Sequence, residues 1–175
     1  MHDLFFFQCV WIGMHANEWI TIAVLTWIVN ELVTKKGSHD CIFGRFDWYF
    51  IPTVNPDGYE YSHSFDRLWR KTRQSYSSTL TSAKQLSVNE GISVQDCVGA
   101  DINRNFEHRW RKGGSSSNVC SQAFAGTKAF SEPEATALSN FIMQEVNNNS
   151  FYVSNFRYYI KTDHDSFDRI YSAPA

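Results

Sequence analysis

The sequence lacks the features that define several broad classes of protein. Its net charge is only −2 at pH 7, so no excess of one sign favours nucleic acid or an anionic membrane as a partner. The apolar run at residues 4–12 is too short to span a bilayer, and no basic segment precedes it as in a signal peptide. The four cysteines include no C-x-x-C pair, which leaves zinc-ribbon and thioredoxin interpretations without support.

What is present is the composition of a globular domain. In 175 residues, 43% are hydrophobic and 16% aromatic, which is enough for one domain with a sizeable core and excludes a disordered chain. Four cysteines could form two bridges in an oxidising compartment or stay reduced in the cytosol, and the count does not decide between these.

Hydrophobic patterning predicts the first half of an α/β fold. Aromatic and β-branched residues predict strands at 4–12 and 43–54. The run at 17–33 has so few polar positions that it predicts a helix buried on most sides. The turn-forming sequence at 55–58 ends the second strand, and the polar stretch at 62–105 predicts long loops.

The second half continues this pattern. A capping box and an early proline at residues 131–134 predict the start of a helix that ends near Asn147. A third strand is predicted at 156–162. This order of strands and helices predicts a mixed, partly parallel sheet flanked by helices.

The first chemical signal is the pair His15 and Glu18, where the first strand gives way to the first helix. Ligand sites form at the carboxyl ends of strands in such sheets, and imidazole and carboxylate both suit Zn²⁺. Taken alone, however, a histidine and a glutamate three residues apart are more often a surface pair or a helix-start carboxylate.

Five blocks in fixed order make the zinc interpretation specific. They lie at residues 13–20 (GMHANEWI), 55–63 (NPDGYEYSH), 67–73 (RLWRKTR), 101–106 (DINRNF) and 130–134 (FSEPE). Together they resemble the pancreatic-type (carboxypeptidase A/B) zinc metallocarboxypeptidases. The resemblance implies that residues 1–175 are a partial catalytic domain with an incomplete metallocarboxypeptidase-like fold.

The resemblance also implies roles for individual residues. His15 and Glu18 correspond to two zinc ligands, and Arg70 to the catalytic arginine that binds substrate and stabilises the developing oxyanion. Asn103 and Arg104 correspond to the pair that binds the substrate's terminal carboxylate. Without the family, Arg70 would be a solvated basic turn and Asn103–Arg104 a polar loop.

Three departures from the family pattern concern the same site. Asn17, also a substrate-binding candidate, stands where the family has an arginine. The third zinc ligand aligns with Asp163, with His164 as the alternative, and a site in which neither binds also stays open. The family's lid tyrosine and general-base glutamate are expected beyond Ala175.

The resemblance implies a compartment and partners as well. It implies a disulfide between Cys97 and Cys120, and a secreted, monomeric protein that acts on peptide or protein C-termini with Zn²⁺ as cofactor. Neither nucleic acid nor a membrane is expected as a partner.

Two functions are therefore consistent with the sequence. The first is a peptidase that hydrolyses the C-terminal peptide bond, although we expect the 175-residue chain by itself to lack significant activity. The second is a catalytically inactive, degenerate or truncated family member that binds peptides.

Overall fold

The computed structural model describes residues 7–35, 46–76, 97–145, 151–155, 158–161 and 170–172. Within them the chain forms two compact units, one from residues 1–14, 18–54 and 140–175, and one from residues 15–17 and 55–139. The helices and strands, in chain order, are β1 (Phe7–Ile12), α1 (Trp19–Thr34), β2 (Phe46–Ile51), α2 (Pro56–Ser64), α3 (Pro133–Glu145), β3 (Phe151–Asn155), β4 (Tyr158–Lys161) and β5 (Ile170–Ser172).

The first unit is built on a five-stranded mixed sheet. Its strand order is β2-β1-β3-β4-β5. Strand β1 pairs in parallel with both β2 and β3, whereas β4 is antiparallel to β3 and to β5. The predicted α/β class with a mixed, partly parallel sheet is confirmed. The strand predicted at 156–162 corresponds to β4, whereas β3 and β5 were not predicted from the sequence pattern.

Helix α1 is less buried than its composition predicts. Only Thr21 and Leu25 are buried along it, whereas Ile20, Trp27 and Val33 are 66%, 61% and 70% exposed. The prediction of a helix buried on most sides is therefore wrong in the described part of the chain. An apolar composition sets how favourable burial is, but only the neighbouring elements decide which faces are covered.

The second unit contains a helix that the sequence pattern missed. Residues 55–58 do not end in a turn but start α2, because the Asn55 side chain accepts a hydrogen bond from the Gly58 N–H at 2.9 Å and Pro56 occupies the first turn. Gly58 fits here because a Cβ atom would collide with Asn55 and the Lys71 carbonyl. Turn-forming residues and a capped helix start share the same composition, so the pattern was ambiguous.

The core of the second unit lies beyond α2. Trp69 is fully buried and donates from Nε1 to the Lys71 carbonyl at 2.7 Å, while the buried Lys71 ammonium donates to the Val119 carbonyl at 2.7 Å. Next to these, Cys97 and Cys120 form a disulfide, as the resemblance implies. The bridge packs with the apolar cluster of Tyr76, Ala100, Val119 and Phe124.

Helix α3 begins differently from the prediction. The Ser131 hydroxyl does not form the expected capping box but donates to the Glu132 carboxylate at 2.8 Å and accepts from the Asn105 amide at 2.9 Å. The helix itself begins at Pro133, whose missing N–H costs nothing in a first turn. The Ser131 hydroxyl is therefore used in hydrogen bonds with Asn105 and Glu132 and does not cap the helix.

Candidate active site

The backbone just before the site requires glycine. Gly13 follows β1, donates to the Ile51 carbonyl at 3.0 Å and accepts from the Val54 N–H at 2.8 Å. A Cβ atom at this position would overlap the Pro52 carbonyl. Glycine here allows the two backbone segments to approach closely, and the chain then leads directly into the histidine of the first motif.

Asp101 is the centre of the candidate site in the second unit. Its Oδ1 lies 3.1 Å from His15 Nε2, and its Oδ2 accepts from Arg70 Nε at 2.9 Å. His15 and Asp101 are buried, and the Arg70 side chain is 18% exposed. One carboxylate therefore orients the predicted zinc ligand and the predicted catalytic arginine at the same time.

The electrostatics of this group keep Asp101 ionised. Burial by itself would raise the pKa of the Asp101 carboxyl. The hydrogen bond from His15 and the attraction of His15 and Arg70 outweigh burial and lower this pKa to about 2. At neutral pH the site therefore contains a buried carboxylate between the His15 imidazole and the Arg70 guanidinium.

Asn103 and Arg104 follow Asp101 in a short 3₁₀ helix, Ile102–Arg104. The Asp101 side chain caps it, since Asn103 N–H donates to Oδ1 at 3.0 Å, and Arg104 N–H donates to the Asp101 carbonyl at 2.9 Å. Asn103 Nδ2 is buried and has no hydrogen-bond partner among the described residues. Arg104 uses its Nε for the Gly114 carbonyl at 3.4 Å, and its terminal nitrogens donate to no described residue.

Asn17 is attached to the backbone of the second unit. Its side-chain Nδ2 donates to the Leu68 carbonyl at 3.1 Å, and its backbone carbonyl accepts from Arg67 Nη1 at 2.8 Å. The adjacent Ala16 N–H donates to the Arg70 carbonyl at 3.4 Å. These contacts hold the segment after His15 beside the segment that carries Arg70.

The other predicted metal ligands are Glu18, Asp163 and His164. Glu18 is at the start of α1, in the first unit. Asp163 and His164 are outside the described residues. Within the described ranges, no three His, Cys, Asp or Glu side chains form a group that could hold a metal ion.

Sequence reasoning missed the role of Asp101. It stands inside the 101–106 block and is the one carboxylate there, but nothing in the sequence places it beside a histidine 86 residues away. Its position two residues before Asn103 was the available signal.

Comparison with known families identifies one that matches the chain. The zinc carboxypeptidase family (Peptidase_M14) matches residues 8–162, which is most of the chain. The chain therefore belongs to the zinc carboxypeptidase family.

Individual relatives extend the comparison. The chain is 40% identical to zinc carboxypeptidase A 1 of Anopheles gambiae over 131 residues, which cover 74% of this chain and 26% of the relative. It is 35% identical over 147 residues to a protein of Arthroderma otae named inactive metallocarboxypeptidase, covering 82% of this chain and 22% of that relative. The crystal structure of carboxypeptidase A from Helicoverpa armigera superposes with a TM-score of 0.68 at 30% identity, over 87% of this chain and 34% of that structure.

These relatives are much longer than the chain. It spans about a quarter of the length of the curated relatives named above. In the parts of the chain that the structure describes, no helix is long and apolar enough to cross a membrane.

Proposed function

We propose that this chain contributes the carboxylate-recognition and oxyanion-stabilising residues of a zinc-dependent carboxypeptidase, which hydrolyses the C-terminal peptide bond of peptides and proteins. In this proposal Arg70 is the catalytic arginine, and Asn103 and Arg104 bind the substrate's free carboxylate. Asn17 lines the substrate site without adding a charge.

The geometry around Asp101 carries the proposal. The buried Asn103 Nδ2 without a partner costs about 1–3 kcal/mol, which a ligand oxygen would recover. The terminal nitrogens of Arg104 donate to no described residue, and a guanidinium fork suits a planar carboxylate. These two sets of donors support the proposal that the pair binds an anion.

Zinc fits one residue of this group well. Because His15 Nε2 is hydrogen-bonded to Asp101, Nδ1 is the ring nitrogen that would bind the metal, and a carboxylate behind a ligating histidine is the usual arrangement. We propose Glu18 as a second ligand from the sequence motif alone. When bound, the ion would polarise the scissile carbonyl and supply an activated water.

The proposal is tested by peptide binding and hydrolysis. Binding to the 175-residue chain is measured for an acetylated dipeptide with a free C-terminal carboxylate and for the same dipeptide as its C-terminal amide. We expect Arg104→Ala to weaken the carboxylate form by at least tenfold, since it removes a bidentate charged partner. Lys128→Ala, a change at an exposed lysine of the same unit, serves as the matched control. Equal affinity of the wild-type chain for both dipeptides would contradict the proposal.

Hydrolysis is followed as zinc-dependent release of the C-terminal residue. Where turnover is measurable, we expect Arg70→Ala to lower kcat by about 10²–10³, the usual effect of losing one oxyanion donor. The expectation that the chain by itself lacks significant activity is tested in the same assay.

The third ligand is tested by zinc titration. We propose Asp163, which aligns with the family's third ligand, with His164 as the alternative. Successive residues of a regular strand face opposite sides, so only one of the two can bind the ion. Asp163→Ala should weaken zinc binding more than His164→Ala does. The reverse order would assign the ligand to His164, and no effect of either change would leave zinc with fewer ligands from this chain.

A second function is favoured by a specific observation. Position 17 carries an asparagine where the family has an arginine, so it adds no charge to this site. The Asn17 amide donates instead to the Leu68 carbonyl. A peptide-binding protein without catalysis is therefore the alternative. Carboxylate-dependent binding without zinc-dependent release of the terminal residue would support it.

We also propose that the protein is secreted. The Cys97–Cys120 disulfide supports this, because such bridges persist in oxidising compartments. Fractionation of expressing cells tests it, and a reduced, intracellular protein would contradict it.

A further inference from the structure

Glu132 is a fully buried carboxylate that the proposed mechanism does not use. Its Oε2 accepts a hydrogen bond from Thr72, and its Oε1 accepts from Tyr76 and from Ser131. A buried carboxylate is costly unless its oxygens are satisfied, and here three hydroxyl groups satisfy them. Burial, followed by the hydrogen bond to Glu132, raises the pKa of the Tyr76 phenol, which therefore stays a donor.

One branch of this network leads to the segment of Arg70. Thr72 donates its hydroxyl to Glu132 and accepts on the same oxygen from the Ala100 N–H at 2.9 Å. Its backbone N–H donates to the Ala100 carbonyl at 3.0 Å. Thr72 is two residues after Arg70, so these three bonds fix the backbone from which the arginine extends.

The other branch leads to the Asn103–Arg104 pair. The Glu132 N–H donates to Asn105 Oδ1 at 3.0 Å, and Asn105 Nδ2 donates to Ser131, which in turn donates to Glu132. Asn105 is fully buried, and its N–H donates to the Ile102 carbonyl at 3.0 Å. Glu132 therefore fixes the residue that directly follows Arg104.

We propose that Glu132 is a positioning residue that sets Arg70 and the Asn103–Arg104 pair in register with each other. It touches no substrate and acts through Thr72 and Asn105. The inference rests on the proposed carboxylate recognition, because the relative position of Arg70 and the Asn103–Arg104 pair matters only if they act on the same substrate. Small displacements of such groups have large effects, since a shift of about 1 Å can cost on the order of 10²-fold in rate.

Glu132→Gln tests this with Glu134→Gln as the matched control. The variant replaces one acceptor oxygen with an amide, so Thr72 or the Tyr76–Ser131 pair loses its acceptor. Glu134 is two residues away and has the same charge, but no described residue donates to its Oε2. The quantity measured is the affinity for the carboxylate dipeptide divided by that for its amide, in metal-free buffer.

We expect the affinity ratio to fall at least tenfold in Glu132→Gln and to stay unchanged in Glu134→Gln. A merely structural role would lower the folded fraction, and with it both affinities, without changing their ratio. Thr72→Val offers a second, near-isosteric variant if Glu132→Gln fails to fold. Because Thr72 is one of the two branches through which Glu132 acts, the fall in the double variant should be smaller than the product of the two single falls. An unchanged ratio in both single variants would overturn the inference.

Arginine side-chain spectra separate this inference from the proposed function. Arg70 Nε and Arg104 Nε are both hydrogen-bonded within the second unit, so each gives a ¹H–¹⁵N signal that reports its geometry. If the wild-type chain does not discriminate the two dipeptides, the proposed function fails and these signals decide the positioning role. Glu132→Gln or Thr72→Val should shift both signals, and signals that stay at the wild-type positions would rule the role out.

Discussion

At the scale of single residues, Asp101 determines the orientation of two other side chains. Both its oxygens are used, one for His15 and one for Arg70, and Oδ1 also caps the helix that carries Asn103. A residue with this many charged or polar contacts cannot be replaced by its amide without leaving one contact unsatisfied. The chemistry of the site therefore depends on a residue that is not expected to touch substrate.

We predict that Asp101→Asn lowers the free energy of unfolding by about 1.5–3 kcal/mol, the usual range for a hydrogen bond to a charged group. Urea denaturation in metal-free buffer measures this. Asp66→Asn is the control, because the Asp66 side chain accepts only a backbone hydrogen bond from Leu68, which asparagine can also accept. Equal destabilisation by the two changes would contradict the central position of Asp101.

Glu134 gives a prediction about pH. Burial raises the pKa of its carboxyl above the ordinary value; its own backbone N–H opposes this, and the charges of Glu132 and Asp57 add to it. A carboxyl whose pKa is higher in the folded state contributes its full stability at low pH and loses it as pH rises through the folded pKa. Glu134→Gln should therefore gain stability relative to wild type between pH 3.5 and pH 7, by less than about 1 kcal/mol because the group is partly solvated. A difference that is constant over this range would argue against the raised pKa.

At the scale of elements, helix α2 is set by one capping residue. Asn55 is 1% exposed and uses both ends of its amide, accepting from Gly58 N–H and donating from Nδ2 to the Lys71 carbonyl at 2.9 Å. It therefore starts the helix and also ties it to the segment that follows Arg70. A capping residue with only the first contact would stabilise the helix but not its position.

We predict that Asn55→Ala lowers the free energy of unfolding by about 2 kcal/mol, the upper end of capping effects, because a second buried contact is lost as well. Asn55→Ser, which keeps a capping oxygen without adding a buried charge, should cost less. Thermal and urea unfolding of both variants measure this. If Asn55→Ser were as harmful as Asn55→Ala, the cap would contribute nothing.

At the scale of the whole molecule, the disulfide constrains the second unit. Cys97 and Cys120 are 23 residues apart, and the segment between them contains Asp101, Asn103 and Arg104. Closing a loop of this length contributes about 3 kcal/mol in the chain-entropy model. The bridge thus restricts the conformations of the unfolded chain, and its loop contains the proposed carboxylate-binding pair.

We predict that the double change Cys97→Ala and Cys120→Ala lowers the free energy of unfolding by about 3 kcal/mol. Reduction of the wild-type protein should have a similar effect, and the double variant should not respond to reductant. Non-reducing peptide mapping of the protein checks the bridge itself. Two free thiols in that map would refute it.

The sequence by itself determined the family, the α/β class and the candidate site residues, apart from the role of Asp101. These features depend on local patterns: strand and helix periodicity, and short blocks such as 13–20 and 101–106, whose residue types are fixed by chemistry. The helix at 56–64 was missed because capping and turn formation use the same residues, and only the contact with Lys71 distinguishes them.

Only the tertiary structure decided which polar groups meet. Asp101 lies beside His15 and Arg70, and Glu132 beside Thr72 and Asn105, although the partners are 27 to 86 residues apart in sequence. Local propensity contains no information about such pairings, because they form only when distant segments are packed together. For the same physical reason the exposed face of α1 could not be read from its composition: burial depends on the neighbouring elements and not on the helix alone.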